Sequence, residues 1–417
     1  MSAPRPIGFL GLGYAGLTTA LGLCELGHSV VAYDIDPEKI RALDAGRIPF
    51  HEPGLPELLK KHRGKRFAAT ANVAALEGVP MAFICVPTPS KADGSIDTRH
   101  VESAADAFAK AAPKAVAVMK STVVPGTTER VLGPRFERWA VNPEFLREGS
   151  AVHDLLHPDR IVVGAPDPKT AGEVAALYAK LKAPVVRTTP ATAEMIKYAS
   201  NAALAAKISF ANEMGNLAKA LGVDVYEVME GVGLDKRIGR AFLDAGAGFG
   251  GSCFPKDVRA LRALAKEKGT GTEVMDATLR VNDHQPERMV ALLEKHVGTL
   301  AGKTVAVLGL AFKPDTDDIR ESRALEAIRI LRQREARVRA YDPLAIEATR
   351  KVFPDIEYAA SSPDALAEAD GALVMTAWPE FRKIPAEAWR SLKHRVVVDG
   401  RRAVKVPAGV TCEGLCW

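Results

Sequence analysis

No apolar run in the 417-residue sequence approaches the length needed to cross a membrane, and no apolar leader follows Met1. Met1-Ser2-Ala3-Pro4-Arg5-Pro6 leads straight into a strand-like segment, so a cytoplasmic protein is expected. Cysteine is scarce and odd in number: Cys24, Cys85, Cys253, Cys412 and Cys416. So scattered a set, without a leader, predicts free thiols rather than a disulfide scaffold. Cys24 and Cys85 lie in apolar runs and read as core. Cys412 and Cys416 leave open a tail disulfide or half a metal site, but no histidine or acidic cluster accompanies them, and no metal is expected. A dominant charge is also missing. The formal net charge of +5 is small beside 56 Lys+Arg and 51 Asp+Glu, and the basic residues are scattered. That argues against nucleic acid and suits a small ligand carrying phosphate. What remains, 47% hydrophobic and 26% charged residues, is the balance of a soluble globular chain long enough for two or three domains.

The first pattern that carries chemistry stands at the start. Ile7-Gly8-Phe9-Leu10 reads as a buried strand, followed by Gly11-Leu12-Gly13-Tyr14-Ala15-Gly16 and an Ala/Leu-rich helix to about Leu26. A second strand over 29–33 ends in Asp34. Strand, G-x-G-x-x-G, helix, strand and acid make the dinucleotide fingerprint in its required context. Gly11, Gly13 and Gly16 permit a tight turn and close contact with a pyrophosphate at the helix N-terminus, where unpaired N–H groups favour anions. Asp34 would take a ribose 2′-OH and repel a 2′-phosphate, so NAD is the expected cofactor. The alternation continues: residues 81–86 end in Pro87-Thr88-Pro89, and residues 115–119 end in Lys120-Ser121-Thr122. Polar residues at such strand ends lie in the ligand crevice of a parallel sheet, although helix capping would also account for Ser121 and Thr122. In Asn142-Pro143-Glu144-Phe145-Leu146-Arg147-Glu148-Gly149 the two glutamates are four apart. On one helical face they could hold or activate a water, and a solvated face would give the same spacing.

One long helix is predicted over 191–221, with Glu194, Lys197, Asn201 and Ala205 at helical spacing and Lys197 beside Asn201. Helices at 224–230, 258–268 and 274–296 make the middle third almost free of strand, and such amphipathic helices are natural dimer surfaces. Within it stands Gly246-Ala247-Gly248-Phe249-Gly250-Gly251-Ser252-Cys253-Phe254-Pro255-Lys256-Asp257. The glycines let main chain press against a ligand, and positive charge such as Lys256 would make the thiol a nucleophile. The plain alternative is a flexible loop with an incidental cysteine. The last third repeats the first. Residues 304–312 echo the opening strand and turn, Val338-Arg339-Ala340-Tyr341-Asp342-Pro343 echoes residues 31–37, and residues 372–377 echo 81–86. Asp342 follows Gly309 by 33 residues, against 23 from Gly11 to Asp34, the excess falling around 313–322. This copy lacks the second and third fingerprint glycines, so it should take a mononucleotide and not a second NAD. The expected fold is α/β: two Rossmann-like doubly wound domains, 1–190 and 299–417, joined by a central helical domain, 191–298, with a long helix.

These motifs, in this order, resemble the UDP-glucose/GDP-mannose dehydrogenase family over nearly the whole chain. They are G-x-G-Y-x-G (11–16), V-P-T-P (86–89), S-T-V-x-P-G-T (121–127), N-P-E-F-L-R-E-G (142–149), K-x-x-x-N (197–201), G-F-G-G-S-C-F-P-K-D (248–257) and K-P-x-T-D-D-x-R-x-S (313–322). Ala247, where many members carry proline, and Gly78-Val79-Pro80, where an acidic residue is common, are peripheral departures.

The resemblance implies two successive NAD-dependent oxidations that turn the C6 alcohol of a nucleotide sugar, UDP-glucose, into a carboxylate. An alcohol-to-acid oxidation needs a nucleophile, and Cys253 would form a thiohemiacetal and then a thioester. Lys197 and Asn201 would stabilise the oxyanion at C6. Asp257, with a water and Thr122, would move protons, and Glu144 or Glu148 would help water hydrolyse the thioester. By the same resemblance Gly11, Gly13, Tyr14, Gly16, Asp34, Lys39, Pro87, Thr88, Ser121, Thr122, Glu148, Lys256 and Arg320 serve NAD. The sugar nucleotide would meet Glu144, Phe145, Leu146, Lys197, Asn201, Phe249, Gly250 and Lys313, with Arg237 reaching in from a neighbouring subunit of a homodimer or larger homo-oligomer. GDP-mannose or an N-acetylated UDP-hexose would fit the same chemistry. A single-oxidation hydroxyacid dehydrogenase has no need of Cys253, and an NAD-sensing binding protein has no need of Lys197, Asn201, Cys253 and Asp257 together.

Overall fold

Short runs that are apolar throughout and end at glycine or a polar turn become the strands of the first sheet. The computed structural model describes residues 5–417; residues 1–4, at the start where no leader is expected, lie outside the described residues. Strands β1 (Ile7–Leu10), β2 (Val30–Tyr33), β3 (Phe67–Thr70), β4 (Met81–Ile84), β5 (Val116–Met119), β6 (Trp139–Val141), β7 (Ile161–Gly164) and β8 (Val185–Thr188) form one sheet. Its order is β3-β2-β1-β4-β5-β6-β7-β8, parallel except where β6 meets β7. Every residue of β1, β4, β5 and β7 is buried, as strands covered on both faces require. Winding reverses between β1 and β4, which opens a crevice at their carboxyl ends. The chain leaves β1 through Gly11, at φ +95°, into α1 (Tyr14–Glu25). A Cβ at Gly16 would stand 2.0 Å from the Gly11 carbonyl oxygen, so only glycine lets this helix lie so close to its strand.

The long predicted helix is continuous: α2 (Pro190–Leu221) is followed by α3 (Val225–Gly233), α4 (Phe254–Glu267) and α5 (Glu273–Val297), with no strand from 190 to 297. Next come β9 (Thr304–Leu308), α6 (Arg323–Gln333), β10 (Arg337–Tyr341), β11 (Glu357–Tyr358), β12 (Gly371–Val374), β13 (Val396–Asp399) and β14 (Thr411–Gly414). They make an all-parallel sheet in the order β11-β10-β9-β12-β13-β14, the winding of the first six strands repeated. The chain divides into two compact units, one ending at Ser200 and the other spanning Asn201–Trp417, with the break inside α2.

Two local expectations are corrected. Glu144 and Glu148 do not share a helical face, because 142–147 forms no helix or strand and 148–149 is a turn. Pro143 keeps Asn142 out of the helical region, and beyond it the Glu144 carboxylate is spent on Leu146 N at 2.7 Å and Lys197 Nζ at 3.1 Å. The helix expected from 258 begins at Phe254, so Cys253 is its N-cap residue and Lys256 and Asp257 lie in its first turn. Pro255 belongs there, since its fixed φ and missing N–H suit the start of a helix. All five cysteines are free thiols: Cys24, Cys85 and Cys416 are buried, Cys253 is half-buried and Cys412 is exposed.

Candidate active site

Around the first glycine turn, the groups left open are those an anion would use. Gly13 is the N-cap of α1 with no side chain capping it, the first turn carries no acidic residue, and a Cβ on Gly13 would point into open space. The helix start therefore offers N–H groups and positive partial charge to a pyrophosphate. Asp34 is buried at the end of β2; its Oδ2 accepts from Leu12 N at 2.6 Å and from Lys39 Nζ at 2.7 Å, and its Oδ1 from Asp36 N at 3.0 Å. Cradle and acid lie where a dinucleotide needs them, so the residues fit NAD. On the far side of the crevice Thr88 Oγ1 donates to Thr122 O at 2.9 Å and Ser121 Oγ to Val86 O at 2.6 Å, tying the segments after β4 and β5 together.

Tyr14 opens α1 and donates to buried Glu52, whose carboxylate also accepts from Gly149 N at 2.7 Å and Ala151 N at 2.8 Å. Burial, and then the Glu52 charge, push the Tyr14 hydroxyl far above its ordinary pKa, with Glu148 adding to the effect. Glu52 was invisible in the sequence, standing in no motif, yet it joins the glycine turn to the loop that carries Glu144 and Glu148.

That loop separates its two carboxylates by environment. Glu144 is paired with Lys197 Nζ at 3.1 Å and accepts from Leu146 N at 2.7 Å. Burial pushes its pKa up, but Lys197, the Leu146 N–H and Lys120 together outweigh burial and hold it below the usual carboxylate value. Phe145 lies under the Arg160 guanidinium, 3.9 Å from its ring centroid, with Lys197 Nζ at 5.4 Å. One turn before Lys197, buried Glu194 accepts from Gly126 N at 2.6 Å and Thr128 N at 2.8 Å, so the start of α2 grips the loops after both β5 and β6. Burial raises the Glu194 pKa despite those bonds.

In the second unit the cysteine stretch hangs from buried amides. Asn212 Oδ1 accepts from Gly246 N at 2.7 Å, and Gln285 Nε2 donates to Gly246 O at 2.8 Å. Asn282 takes Phe249 N at 2.7 Å and donates to Phe249 O at 3.0 Å. The Phe249 side chain packs with Ala205, Val258 and Leu279. A Cβ on Gly250 would come within 2.3 Å of Glu321 O, and Gly251, at φ +85°, donates to Arg320 O at 2.9 Å. Only glycine fits at this approach to the 312–321 loop, where Lys313 lies beside the Phe312 ring and Arg320 is paired with Asp318 at 2.6 Å.

Cys253 sits at the start of α4, where unpaired N–H groups favour negative charge, with Ser252 Oγ at 3.5 Å. One turn on, buried Asp257 accepts from Asn201 Nδ2 at 2.6 Å and pairs with Lys256. Arg237 is exposed and clasps Asp235 in its own loop, which Lys207 Nζ holds through Ile238 O at 3.0 Å. The polar residues that sequence reasoning missed, Glu52, Asn212, Asn282 and Gln285, are buried and polar in otherwise ordinary contexts, and a paired partner far along the chain is what identifies them; Lys120 and Asn142 stand in stretches singled out above, with no role assigned to either. Among the described residues no cluster of three or more His, Cys, Asp or Glu could hold a metal, and no helix is long and apolar enough to cross a membrane.

Three domains of the UDP-glucose/GDP-mannose dehydrogenase family match the chain: the NAD binding domain over 5–182, the central domain over 191–284 and the UDP binding domain over 306–406. A relative in Haloferax volcanii, UDP-glucose 6-dehydrogenase AglM, is 47% identical, the match covering 98% of this chain and 99% of that protein. The structure of a UDP-glucose dehydrogenase from Pyrobaculum islandicum superposes with a TM-score of 0.93 at 44% identity, covering 100% of this chain and 98% of that one. A UDP-D-ManNAc dehydrogenase from Pyrococcus horikoshii superposes with a TM-score of 0.88 at 30% identity, covering 98% and 99%.

Proposed function

Since the chain belongs to the UDP-glucose/GDP-mannose dehydrogenase family of NAD-dependent oxidoreductases, we propose that it oxidises UDP-glucose at C6 to UDP-glucuronate in two steps, through a covalent bond to Cys253. The observation that carries the reading is Cys253 at the N-terminus of α4, with Asp257 one turn on held by Asn201. A one-step dehydrogenase needs no nucleophile at such a place. Bound NAD supplies the acceptor for hydride from C6, once from the alcohol and once from the thiohemiacetal.

The chain's own residues do the rest. Asp257, with a water and Thr122, takes the hydroxyl proton as the alcohol becomes an aldehyde. The Cys253 thiolate adds to that carbonyl carbon, and the new C–S bond keeps the aldehyde from leaving. Lys197 and Asn201, one turn apart on α2, stabilise the negative oxygen. After the second hydride leaves, a thioester remains, and water cleaves the C–S bond to give carboxylate and free thiol. Glu144 is the better candidate to activate that water, because Lys197 keeps it ionised in a buried place, whereas Glu148 lies in the turn near Tyr14. The balance is one alcohol, two NAD and one water giving one carboxylate, two NADH and three protons.

The division of labour follows the expected domains: 1–190 for NAD, 191–298 for the helical middle and 299–417 for the sugar nucleotide. Exposed Phe210, Leu217, Leu221 and Leu234 favour a homodimer, in which Arg237 serves the neighbouring subunit; sedimentation as a monomer would remove that part. NADH yield over a panel of nucleotide sugars is the main test. Two NADH per UDP-glucose are expected, with Cys253→Ser losing at least about a thousandfold in turnover. One NADH per sugar with free aldehyde accumulating would sink the two-step reading, and turnover of an N-acetylated UDP-hexose or GDP-mannose instead would reassign the substrate.

A further inference from the structure

Glu52 precedes the helix Leu55–His62 and is buried, a place where a carboxylate is costly unless donors surround it. Its Oε2 accepts from the Tyr14 hydroxyl and from Gly149 N at 2.7 Å, and its Oε1 accepts from Ala151 N at 2.8 Å. Tyr14 opens α1, and its hydroxyl also receives Gly149 N at 3.2 Å and lies 3.3 Å from Arg147 O. These contacts converge on one turn, 147–151, in which Gly149 stands at φ +81°. Asp154 pins the same turn by accepting from Arg147 N at 2.9 Å. All of these groups lie in the first compact unit.

Neither end of the contact needs a buried acid for itself. Ala151 opens the helix Ala151–Leu156, and Ser150 at its N-cap gives no side-chain bond, although serine is a preferred cap. A carboxylate 99 positions earlier takes the Ala151 N–H instead. The glycine turn keeps bonds of its own, Gly11 N to Tyr33 O at 2.8 Å and Leu17 N to Gly13 O at 2.9 Å, and Glu52 meets the phenol of Tyr14 and not its main chain. What Glu52 adds is the tie between the two.

We propose that Glu52 is a positioning residue: with Tyr14 it fixes the loop that carries Glu144 and Glu148 against the start of α1, so that these carboxylates keep their place relative to a dinucleotide at the glycine turn. It touches neither substrate nor cofactor and acts through the loop. The proposal rests on the reading above in placing NAD at that turn and the sugar nucleotide at that loop.

The test compares kcat for NADH formation with NAD affinity, read by fluorescence titration, in the full-length enzyme and the best sugar of the panel above. In Glu52→Gln an amide NH2 must face a donor that the carboxylate accepts, so the turn shifts. Its kcat should fall about tenfold while the NAD Kd stays within about threefold, because displaced reacting groups lose rate and the pyrophosphate cradle keeps its own bonds. Glu52→Ala should lose about a hundredfold. Tyr14→Phe leaves both main-chain N–H groups on Glu52 and should lower kcat about threefold. Added to Glu52→Gln it should cost no more than about 1.5-fold further, because the two side chains hold one turn.

A residue that only caps the helix Ala151–Leu156 gives a different pattern: a lower melting temperature in Glu52→Gln, kcat within about twofold of wild type and a silent Tyr14→Phe. That pattern overturns the proposal. So does an NAD Kd that rises as much as kcat falls, or a double variant whose losses multiply. If Glu52→Ala does not fold by thermal melt, Glu52→Gln and Tyr14→Phe decide, both being close in shape to the native residues. One NADH per sugar from the wild type sinks the two-step reading and leaves the comparison of kcat with Kd to decide Glu52. Two NADH per sugar with kcat unmoved in Glu52→Gln removes this proposal only, and no NADH with any sugar removes both.

Discussion

Asp34 and Asp342 follow β2 and β10, equivalent strands of two sheets wound in the same order, and each accepts from the leucine N–H of the turn after the first strand. Each also accepts at Oδ1 from the N–H two residues on, Asp36 and Leu344, and beyond that they part. Asp34 Oδ2 takes Lys39 Nζ at the mouth of an open turn, where Gly13 has free space around it. Asp342 also accepts from Ala311 N at 3.0 Å and from Trp378 Nε1 at 2.9 Å, and Thr376 Oγ1 reaches across to Ala311 O at 2.6 Å. In the second copy the groups that would cradle a pyrophosphate and a ribose are spent on the protein itself, with fully buried Ala311 where the first copy has Gly13. Two sheets of the same winding therefore differ at this turn, open in the first and filled in the second.

The sharpest way to break this comparison is at the two turns. Gly13→Val should weaken NAD binding by at least about a hundredfold, read by fluorescence titration, with UDP binding intact. Ala311→Gly should give no second NAD site, since Trp378 and Asp342 still occupy it. Equal NAD stoichiometry changes in both variants would end the claim that one turn is open and the other filled.

A smaller effect is expected at the acids. Asp342→Asn turns an amide toward three donors and should cost about 2–4 kcal/mol of unfolding free energy in urea titrations. Asp34→Asn, which faces two N–H groups and the Lys39 ammonium, should cost less, about 1 kcal/mol, and relax the preference for NAD over NADP. Comparable destabilisation by both would show that Asp34 is as structural as Asp342.

An effect confined to part of the pH range concerns the ends of β5 and β13, which carry buried groups of opposite charge. Lys120, pushed down to about 8 from the ordinary 10.5, binds fewer protons folded than unfolded across that window. Its cost is therefore fully present below about pH 8 and relieved as pH rises toward 10.5, a slope worth roughly 3 kcal/mol at most that Lys120→Met should remove. Asp399 accepts from Arg401 N at 2.8 Å and Ala403 N at 2.8 Å, yet burial raises its pKa above the ordinary value of 3.8. Its folded form holds the proton more tightly, so its contribution is favourable below pH 3.8 and is lost as pH rises through the raised value. Asp399→Asn should flatten that acid slope. Unfolding titrations at matched pH would expose a failure if either variant left the stability profile unchanged.

Much of this was legible in the sequence for local reasons. A glycine turn between a buried strand and a helix depends on backbone freedom, and an acid at the next strand end depends on topology that the alternation already implies. The long helix and the order of the motifs needed no coordinates either. The two misreadings have different sources: Glu144 is held by Lys197 on α2 in a segment without helix, a pairing that its spacing from Glu148 does not show, whereas Pro255 started α4 earlier than its apolar stripe suggested.

What the sequence settled by itself is the winding of both sheets and the residue types available to chemistry, because periodicity and turn residues act over a few positions. Tertiary structure alone decided which polar groups are buried and against whom. Lys120 meets Asn142 and Asp342 meets Trp378 across 22 and 36 positions. Desolvation and charge pairing over such separations leave no periodic trace in a chain, so only the folded arrangement shows which carboxylate is held ionised and which nucleotide turn is closed.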